Sequence, residues 1–515
     1  MCEKRHGGGG RDEGAAEKAG WHDISRKSLR YHDAMAAGRK KQLVFDETFP
    51  SRYVGEMRLR VHFRDGPMWR WCAVAFGAAV LLAYVISYLR LPFADQDTLL
   101  YTMIGQPLVT QGVLPYGAVF DHKPIGLYAI YGAWNVLLPL PLGTYTLFAL
   151  AAVTIMAALA RGWGLDFGRT WLGLVVLGAP FGVLSGNAEL AYLPLMFACV
   201  ICLTHENGRM VLLGGFLAGL AVEVNYLAAP ALLLPIVYAL VTCGQGFRRG
   251  GILLLGGVAG LGVPLLPYLF DLHAARDYFD LQHRYLHHYG ASSGARLKTV
   301  CWFALWMGCV SPVLMQRVGD RRAGLLRAWA AGGIVACLAS GYPFAHYFLL
   351  VLAPVVLMMG LSPAGQGGTR WRLLPLGVLS VIGLYHDTHH NVVLARQLAK
   401  LDIAALHEAI GNEPVLDIEA SHVPFALAHL RSQGRFLFPE HVRRLYGTGA
   451  AAYYSHELDY APRFVIAGRT LCPSSGDMAD ICRKLADRYV ALWDAPGVYG
   501  YRVYRRRDFQ GNQDL

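Results

Sequence analysis

GGILLLGGVAGLGVPLLPYLF fills residues 250–270 without a single charged side chain. A helix that crosses a bilayer needs roughly 20 mostly apolar residues. A helix on the surface of a soluble protein keeps one polar face, and this stretch has none. Arg248 and Arg249 stand just before it and Asp271 just after it, so charge flanks the run without interrupting it. Outward from this segment, runs of the same character recur at approximately 71–91, 144–160, 170–185, 189–204, 210–224, 226–242, 299–315, 325–341, 346–361 and 373–389. The expected fold class is therefore an all-α polytopic membrane domain of about eleven transmembrane helices. A small C-terminal α/β soluble domain follows it.

Composition agrees. The chain has 515 residues, 54% hydrophobic and 16% charged, with a mean hydropathy of +0.33 despite polar ends. Three regions are expected: a basic cytoplasmic tail at 1–70, a transmembrane domain at 71–390 with a long loop at 91–142, and a soluble domain at 391–515. The opening MCEKRHGGGGRDEG is polar and glycine-rich, so the first crossing is expected to act as an uncleaved anchor rather than as a signal peptide. A misassigned start codon is the alternative. Residues 1–65 read as a flexible tail with some helical pieces.

The net charge of +11 does not point to nucleic acid. The basic residues sit in the tail, in short loops and at Arg505–Arg507, where topology and anionic lipid headgroups account for them. Positive short loops mark the cytoplasmic side. They carry Arg161 and Arg169, Arg209, Arg248 and Arg249, Arg317 with Arg321 and Arg322, and Arg370 with Arg372. An even number of crossings separates any two of them only if Ile125–Leu142 lies at the outer interface as a juxtamembrane or re-entrant helix. With the N-terminus inside, residues 390–515 then lie in the periplasm of a Gram-negative cell. The outer face collects Leu91–Lys123, Ser185–Leu190, the turn at Asn225, Asp271–Lys298 and Gly341–Tyr347.

In the soluble domain, EPVLDIEA, RFVIAG, RYVALWDA and GYRVYRR read as strands. FALAHLRSQ and DMADICRKLADRY read as helices. With no glycine-rich phosphate loop and no serine elbow, the domain reads as a scaffold or an acceptor-docking module. Cys472 and Cys482 are spaced compatibly with a disulfide or with two free thiols.

Chemistry gathers in the first outer loop. Asp95 and Asp97 follow the first crossing directly. Two carboxylates at the hydrocarbon boundary are costly unless paired, metal-bound or used. They could take a proton from an acceptor hydroxyl, hold a divalent cation against a phosphate, or cap the helix starting near Thr98. Asp121-His122-Lys123-Pro124 comes next. Lys123 there fits either a lipid phosphate or an interfacial side chain reaching for water. His283 and His287, at i and i+4, could bind a metal or simply face solvent on an aromatic-rich interfacial helix.

The ordered set Asp95, Asp97, Tyr101, Gly112, Pro115, Tyr116, Asp121, His122, Lys123 and Pro124 resembles the first periplasmic loop of GT-C membrane glycosyltransferases. More narrowly it resembles the protein-mannosyltransferase-like branch, glycosyltransferase family 39, which includes the lipid A aminoarabinose transferases. Asn187-Ala188-Glu189, and His346-Tyr347 followed by Pro354, are similar to two further segments of that family. The resemblance covers residues 70–390. It implies an inverting transfer of a sugar from a polyprenyl-phosphate carrier to a glycan, lipid or protein acceptor at the periplasmic face. It implies Asp97 as catalytic base with Asp95 as second carboxylate, and Lys123 with His122 on the donor phosphate. Tyr101, Tyr116, Asp121, Asn187, Glu189, His346 and Tyr347 are further active-site candidates. A divalent cation, Mg or Mn, is a candidate cofactor, with no complete ligand set visible. Two positions depart from the family: Ile125 stands where a second proline is usual, and Asn225, with Glu223 near it, where a lysine is common. The sugar therefore stays open. The rival expectation is a lipid or solute transporter or flippase, which would place ionisable groups on broken helices near the bilayer midplane.

Overall fold

The structure, a computed structural model, describes residues 67–116, 119–139, 143–242, 246–316, 318–361, 374–472 and 478–508. The expected N-terminal tail, Arg317 and the basic loop with Arg370 and Arg372 lie outside the described residues.

The helices in chain order are α1 (Pro67–Leu89), α2 (Gln96–Gln111), α3 (Ile125–Leu137), α4 (Thr144–Gly162), α5 (Phe167–Gly178), α6 (Ala188–Leu203), α7 (Gly208–Val224) and α8 (Ala228–Thr242). Then follow α9 (Gly246–Leu265), α10 (Leu272–His288), α11 (Ser293–Leu314), α12 (Arg321–Ser340), α13 (Leu349–Leu361) and α14 (Leu374–Leu398). Short 3-10 turns extend α5, α9 and the start of α13. All the apolar runs read from the sequence are helices here. The segments Thr144–Gly162, Gly246–Phe270, Ser293–Leu314 and Arg321–Ser340 are by themselves long and apolar enough to cross a membrane, and the others are shorter apolar helices. Only 17% of the apolar window in Gly246–Phe270 is buried, and Leu254, Leu255, Val258 and Phe270 stand exposed. In water those side chains would be a liability; in lipid they meet their own kind. The chain is a multi-pass membrane protein.

Helices in lipid gain nothing from hydrophobic burial against one another, so close packing through small residues takes over. α7 and α9 meet through Gly215, Gly219, Gly256 and Gly260, where an added Cβ would stand 2.1–2.2 Å from a backbone oxygen of the facing helix. α2 and α3 cross in the same way at Gly105 and Gly132. α3 confirms a helix within Ile125–Leu142, ending at Leu137.

α14 does not stop at 390, the expected domain boundary, but runs on to Leu398 and carries the chain directly into the soluble domain. That domain comprises α15 (Ile403–Ile410), β1 (Pro414–Ile418), α16 (Val423–Leu427), β2 (Arg431–Ser432), α17 (Pro439–Tyr446), α18 (Ala450–Asp459), β3 (Phe464–Gly468), α19 (Ala479–Arg488), β4 (Tyr489–Ala495) and β5 (Tyr501–Arg506). The sheet order is β2-β1-β3-β5-β4, with β1 parallel to β2 and β3, and β5 antiparallel to β3 and β4. The expected strands are all present. FALAHLRSQ is not one helix, however: α16 ends at Leu427, His429 takes a φ of 52°, and Arg431–Ser432 pairs with β1 as an edge strand. A non-glycine residue in the left-handed region breaks helical periodicity.

Cys472 and Cys482 are disulfide-bonded, which resolves the open alternative. The bond ties the chain just after β3 to α19. Replacing both cysteines by serine is expected to destabilise this domain by about 2–3 kcal/mol, the loop entropy for a closure of this size. Thermal unfolding with and without reductant measures it, and equal midpoints would contradict the structural role.

The soluble domain is pinned to the first loop. The Phe120 N–H donates to the Arg435 carbonyl at 2.7 Å, and Arg435 pairs with Asp277 of α10 at 3.1 Å. His422 Nε2 lies 2.8 Å from the Gln96 carbonyl oxygen. This docking decides what the site contains.

Candidate functional site

The turns between helices converge on one cavity of about 420 Å³. Its walls include Asp95, Asp97, Tyr101, Asp121, His122, Lys123, Asn187, Glu189, His346 and Tyr347, so segments from Leu91–Lys123, Ser185–Leu190 and Gly341–Tyr347 meet in space. Of the residues expected in a site, Tyr116 alone does not line it. Tyr116 is buried behind the wall, where its hydroxyl bonds the Lys123 carbonyl and Gln282 Oε1, each at 2.7 Å. Gln282 in turn donates to the His122 carbonyl at 2.7 Å. Tyr116 adopts a φ of 73°, which a bulky residue holds only where surrounding contacts insist. It is a buttress for the backbone of His122 and Lys123. His283 and His287 are exposed and belong to no cluster of potential metal ligands among the described residues.

The two carboxylates after α1 separate. Asp95 is the N-cap of α2: its Oδ1 accepts from the Asp97 N–H at 3.1 Å. Helix capping therefore holds for Asp95, and its loss would cost about 1 kcal/mol. Asp97 lies in the first turn of α2 and lines the cavity without a capping duty. Burial and the neighbouring Asp97 charge raise the Asp95 carboxyl to about 6, against an opposing pull from His346. Part of its surface still meets water in the cleft, so solvent softens that effect. The sign follows directly. Folding favours the protonated form of Asp95, so this group's stabilising contribution is full at low pH and is lost as pH rises through about 6. Activity that needs Asp95 ionised is expected to fall as pH drops through about 6, and Asp95→Asn, which fixes the neutral form, is expected to hold activity at its low-pH level across that range. A pH–rate profile unchanged in this variant would reject the assignment.

Asn187 is the residue before α6, and its side chain makes no capping bond. Glu189, 1% exposed, sits in the first turn of α6, where the helix dipole favours an anion. Both Glu189 carboxylate oxygens and Asn187 Oδ1 are buried without a hydrogen-bond partner among the described residues. His346 Nε2 lies 3.9 Å from Glu189 Oε2. Buried polar atoms left unpaired at a cavity wall are set for something else to bind.

Asp121 is fully enclosed. It accepts from the His122 N–H at 2.7 Å and from the Tyr128 hydroxyl at 3.0 Å. His122 Nδ1 lies 2.9 Å and His441 Nε2 3.3 Å from its Oδ1. Burial alone would raise this carboxyl, but His122, by charge and hydrogen bond, and then His441 hold it well below the usual carboxylate range. Burial lowers His122 in turn, with Asp121 opposing. Asp121, His122 and His441 thus place donor atoms within 4.8 Å of one another, a set that could hold a metal ion. Two imidazoles and a carboxylate suit a borderline ion such as zinc; magnesium and manganese, the expected ions, prefer oxygen ligands.

His441 was not among the expected residues, nor was Arg444. Both come from α17 of the soluble domain, three residues apart and so on one helix face. The Arg444 guanidinium lies over the rings of Tyr285, Tyr289 and Tyr342 at 5.6, 4.6 and 5.6 Å, pairs with Glu440 and donates to the Tyr342 hydroxyl at 2.9 Å. The domain expected as a scaffold or docking module thus builds one wall of the cavity.

No protein-family model matches the chain, and no curated protein matches it by sequence. Solved structures do. ArnT from Cupriavidus metallidurans bound to undecaprenyl phosphate superposes with a TM-score of 0.57 at 14% identity, over 84% of this chain and 98% of that one. The apo state of the same protein gives 0.55 at 14% identity, over 85% and 98%. The chain shares the fold of that protein over 84% of its own length.

Proposed function

We propose that this protein is an integral-membrane glycosyltransferase that moves a sugar from a polyprenyl-phosphate carrier to an acceptor. One observation carries the reading. Carboxylates, Lys123 and unpaired polar atoms from separate loops meet in a single cavity at one end of an apolar helix bundle. That is where a lipid-borne phosphate would sit, its isoprenoid among the helices and its sugar in water. ArnT, which shares the fold, was captured with undecaprenyl phosphate bound, which supports a carrier of that class. A transporter would hold its ionisable groups near mid-membrane instead.

The chemistry balances without a further reactant. The Asp97 carboxylate takes the proton of an acceptor hydroxyl. The oxygen attacks the anomeric carbon from the face opposite the phosphate, and the bond from that carbon to the phosphate oxygen breaks. The leaving group departs as polyprenyl phosphate, its charge met by Lys123 and Arg444. The anomeric configuration inverts. Asp121, His122 and His441 would hold a divalent cation, which when bound would supply positive potential beside the same phosphate.

Orientation follows the parity argument, with the cavity and the soluble domain on the periplasmic side of the inner membrane. Two contacts support it. Arg322 bonds the Trp163 carbonyl at 2.7 Å and Arg249 the His205 carbonyl at 2.7 Å, so basic loops taken as cytoplasmic touch one another. The disulfide belongs in an oxidising compartment.

The test is turnover of radiolabelled polyprenyl-phosphate sugars by the full chain in nanodiscs, with a membrane extract as acceptor source. Transfer or sugar release is expected, reduced about 10–100-fold in Lys123→Ala through the lost charge-assisted contact. No turnover across a broad donor panel by folded protein, with solute flux in liposomes, would replace this reading with transport.

A further inference from the structure

α10 follows directly on the crossing formed by α9. The 3-10 turn Leu266–Phe270 joins them, and its Leu266, Leu269 and Phe270 stand exposed. The apolar surface continues past that turn. Leu272, Phe279 and Leu286 of α10 are 76%, 60% and 40% exposed. They recur at intervals of nearly two helical turns, so they form one stripe along the helix. One turn after Leu272 comes Arg276, one turn after Phe279 comes His283, and one turn after His283 comes His287. All three are exposed, and they form a polar stripe beside the apolar one.

The acidic groups nearby are already engaged. Asp271 caps α10 by accepting from the Ala274 N–H, Asp280 pairs with Arg284, and Asp277 pairs with Arg435. Arg276 makes no ion pair among the described residues. Nor does Lys298, exposed in the second turn of α11, where the chain enters its next apolar crossing. An apolar stripe exposed beside cations is a liability in water. It suits a helix lying in a bilayer surface, with its apolar margin among acyl chains and its cations among headgroups. Zwitterionic headgroups offer those cations no net charge, and anionic ones do. His283 and His287 each carry at least one ring N–H to give to a phosphate oxygen.

The opposite face of α10 backs the cavity. Gln282 donates to the His122 carbonyl, and the Tyr285 ring stacks on the His122 ring with centroids 4.9 Å apart. The Arg444 guanidinium lies over Tyr285 and Tyr289. Only the thickness of one helix, about 10 Å, separates the exposed stripes from the groups that hold His122.

We propose that the exposed face of α10 is a docking surface for the headgroups of anionic phospholipids in the surrounding bilayer, and that their binding steadies Tyr285 and Gln282 against His122. The lipid is a regulatory partner, neither donor nor acceptor. Its effect on turnover rests on the glycosyltransferase reading; its binding does not.

Full-length protein is compared in nanodiscs of phosphatidylglycerol and of phosphatidylcholine. Amide hydrogen exchange across Leu272–His288, followed by mass spectrometry, is expected to be at least about fivefold slower in phosphatidylglycerol, the worth of one basic side chain at an anionic surface. Combining Arg276→Glu with Lys298→Glu should abolish the difference. Both residues are exposed, so the double variant is expected to fold. Arg209→Glu, in the first turn of α7 at the other end of the bundle, should leave the difference intact. For the parent protein, kcat/KM for the donor should be at least about fivefold higher in phosphatidylglycerol, a usual size for coupling between two sites, and the double variant should lose that gain. Equal exchange in the two lipids, a difference that survives the double variant, or one abolished by Arg209→Glu would each overturn the docking surface. Equal turnover in the two lipids would overturn its hold on the site. Absence of turnover in both lipids, with the exchange difference present, would strike the glycosyltransferase reading and leave the docking surface supported.

Discussion

Asp97→Asn is expected to slow sugar transfer by about 10²–10⁴-fold, the usual worth of a positioned general base, while the folded protein is recovered in normal yield. The substitution keeps the shape of the side chain and removes only its charge and basicity. The cap of α2 is untouched, because that bond runs from the Asp97 N–H to Asp95 Oδ1. Removing the Asp97 charge also removes one of the two main causes that raise Asp95 to about 6, so the Asp95 carboxyl should move down toward its ordinary range. Less stability is then lost as pH rises through 6, and the variant should be no less stable than the parent at neutral pH. Transfer assays and thermal unfolding on the same preparation read both effects. Full activity in Asp97→Asn would remove Asp97 from the base's role. A severe loss in Asp95→Asn beside a mild one in Asp97→Asn would exchange the two.

The sequence exposed the bundle because a bilayer imposes its demand locally. Each crossing has to be apolar all round over a fixed length, as residues 250–270 are, and loop charge adds a parity rule. The first loop was legible for a related reason. Asp95, Asp97, Asp121, His122 and Lys123 are charged or titratable residues beside hydrocarbon, where bland explanations are costly. The resemblance already put Asp97 before Asp95 as the base; the coordinates add that the Asp95 side chain is engaged as the cap of α2. The position of Tyr116 needed coordinates too. A tyrosine inside a motif can face the substrate or hold the motif's backbone, and its bonds to Lys123 and Gln282 show the second role.

His441 and Arg444 were not legible at all. PEHVRRLY reads as an ordinary amphipathic helix, and nothing local says that its His441 and Arg444 face will lie against α10. The docking is written in distant pairings instead: Phe120 with Arg435, Gln96 with His422, Asp277 with Arg435. A weak signal did exist on the other side. Tyr278 and Tyr285 in α10 and Tyr289 at its C-terminal end recur at helical spacing, an aromatic surface in a segment otherwise rich in charge.

Arg444→Ala is expected to lower kcat/KM for the donor by about 100-fold, through loss of a charge-assisted contact in a partly dry site. The side chain is 15% exposed and its guanidinium is held by rings, by Glu440 and by the Tyr342 hydroxyl, so its position is fixed before substrate arrives. Its removal does more than subtract a cation. Glu440 is left unpaired at the cavity wall, so a net negative charge faces an arriving phosphate. Lysine should not rescue. A flexible ammonium cannot lie flat against Tyr289 while bonding Glu440 and Tyr342, because those contacts need a planar fork of donors. Arg444→Lys is therefore expected to recover no more than about tenfold of the loss, whereas Glu440→Gln, which keeps the arginine and removes its counter-charge, should leave KM for the donor unchanged or lower. Steady-state kinetics on the three variants decide it. Wild-type kinetics in Arg444→Lys would mean that only charge matters at this position. Wild-type kinetics in Arg444→Ala would mean that the soluble domain closes the cavity without taking part in its chemistry.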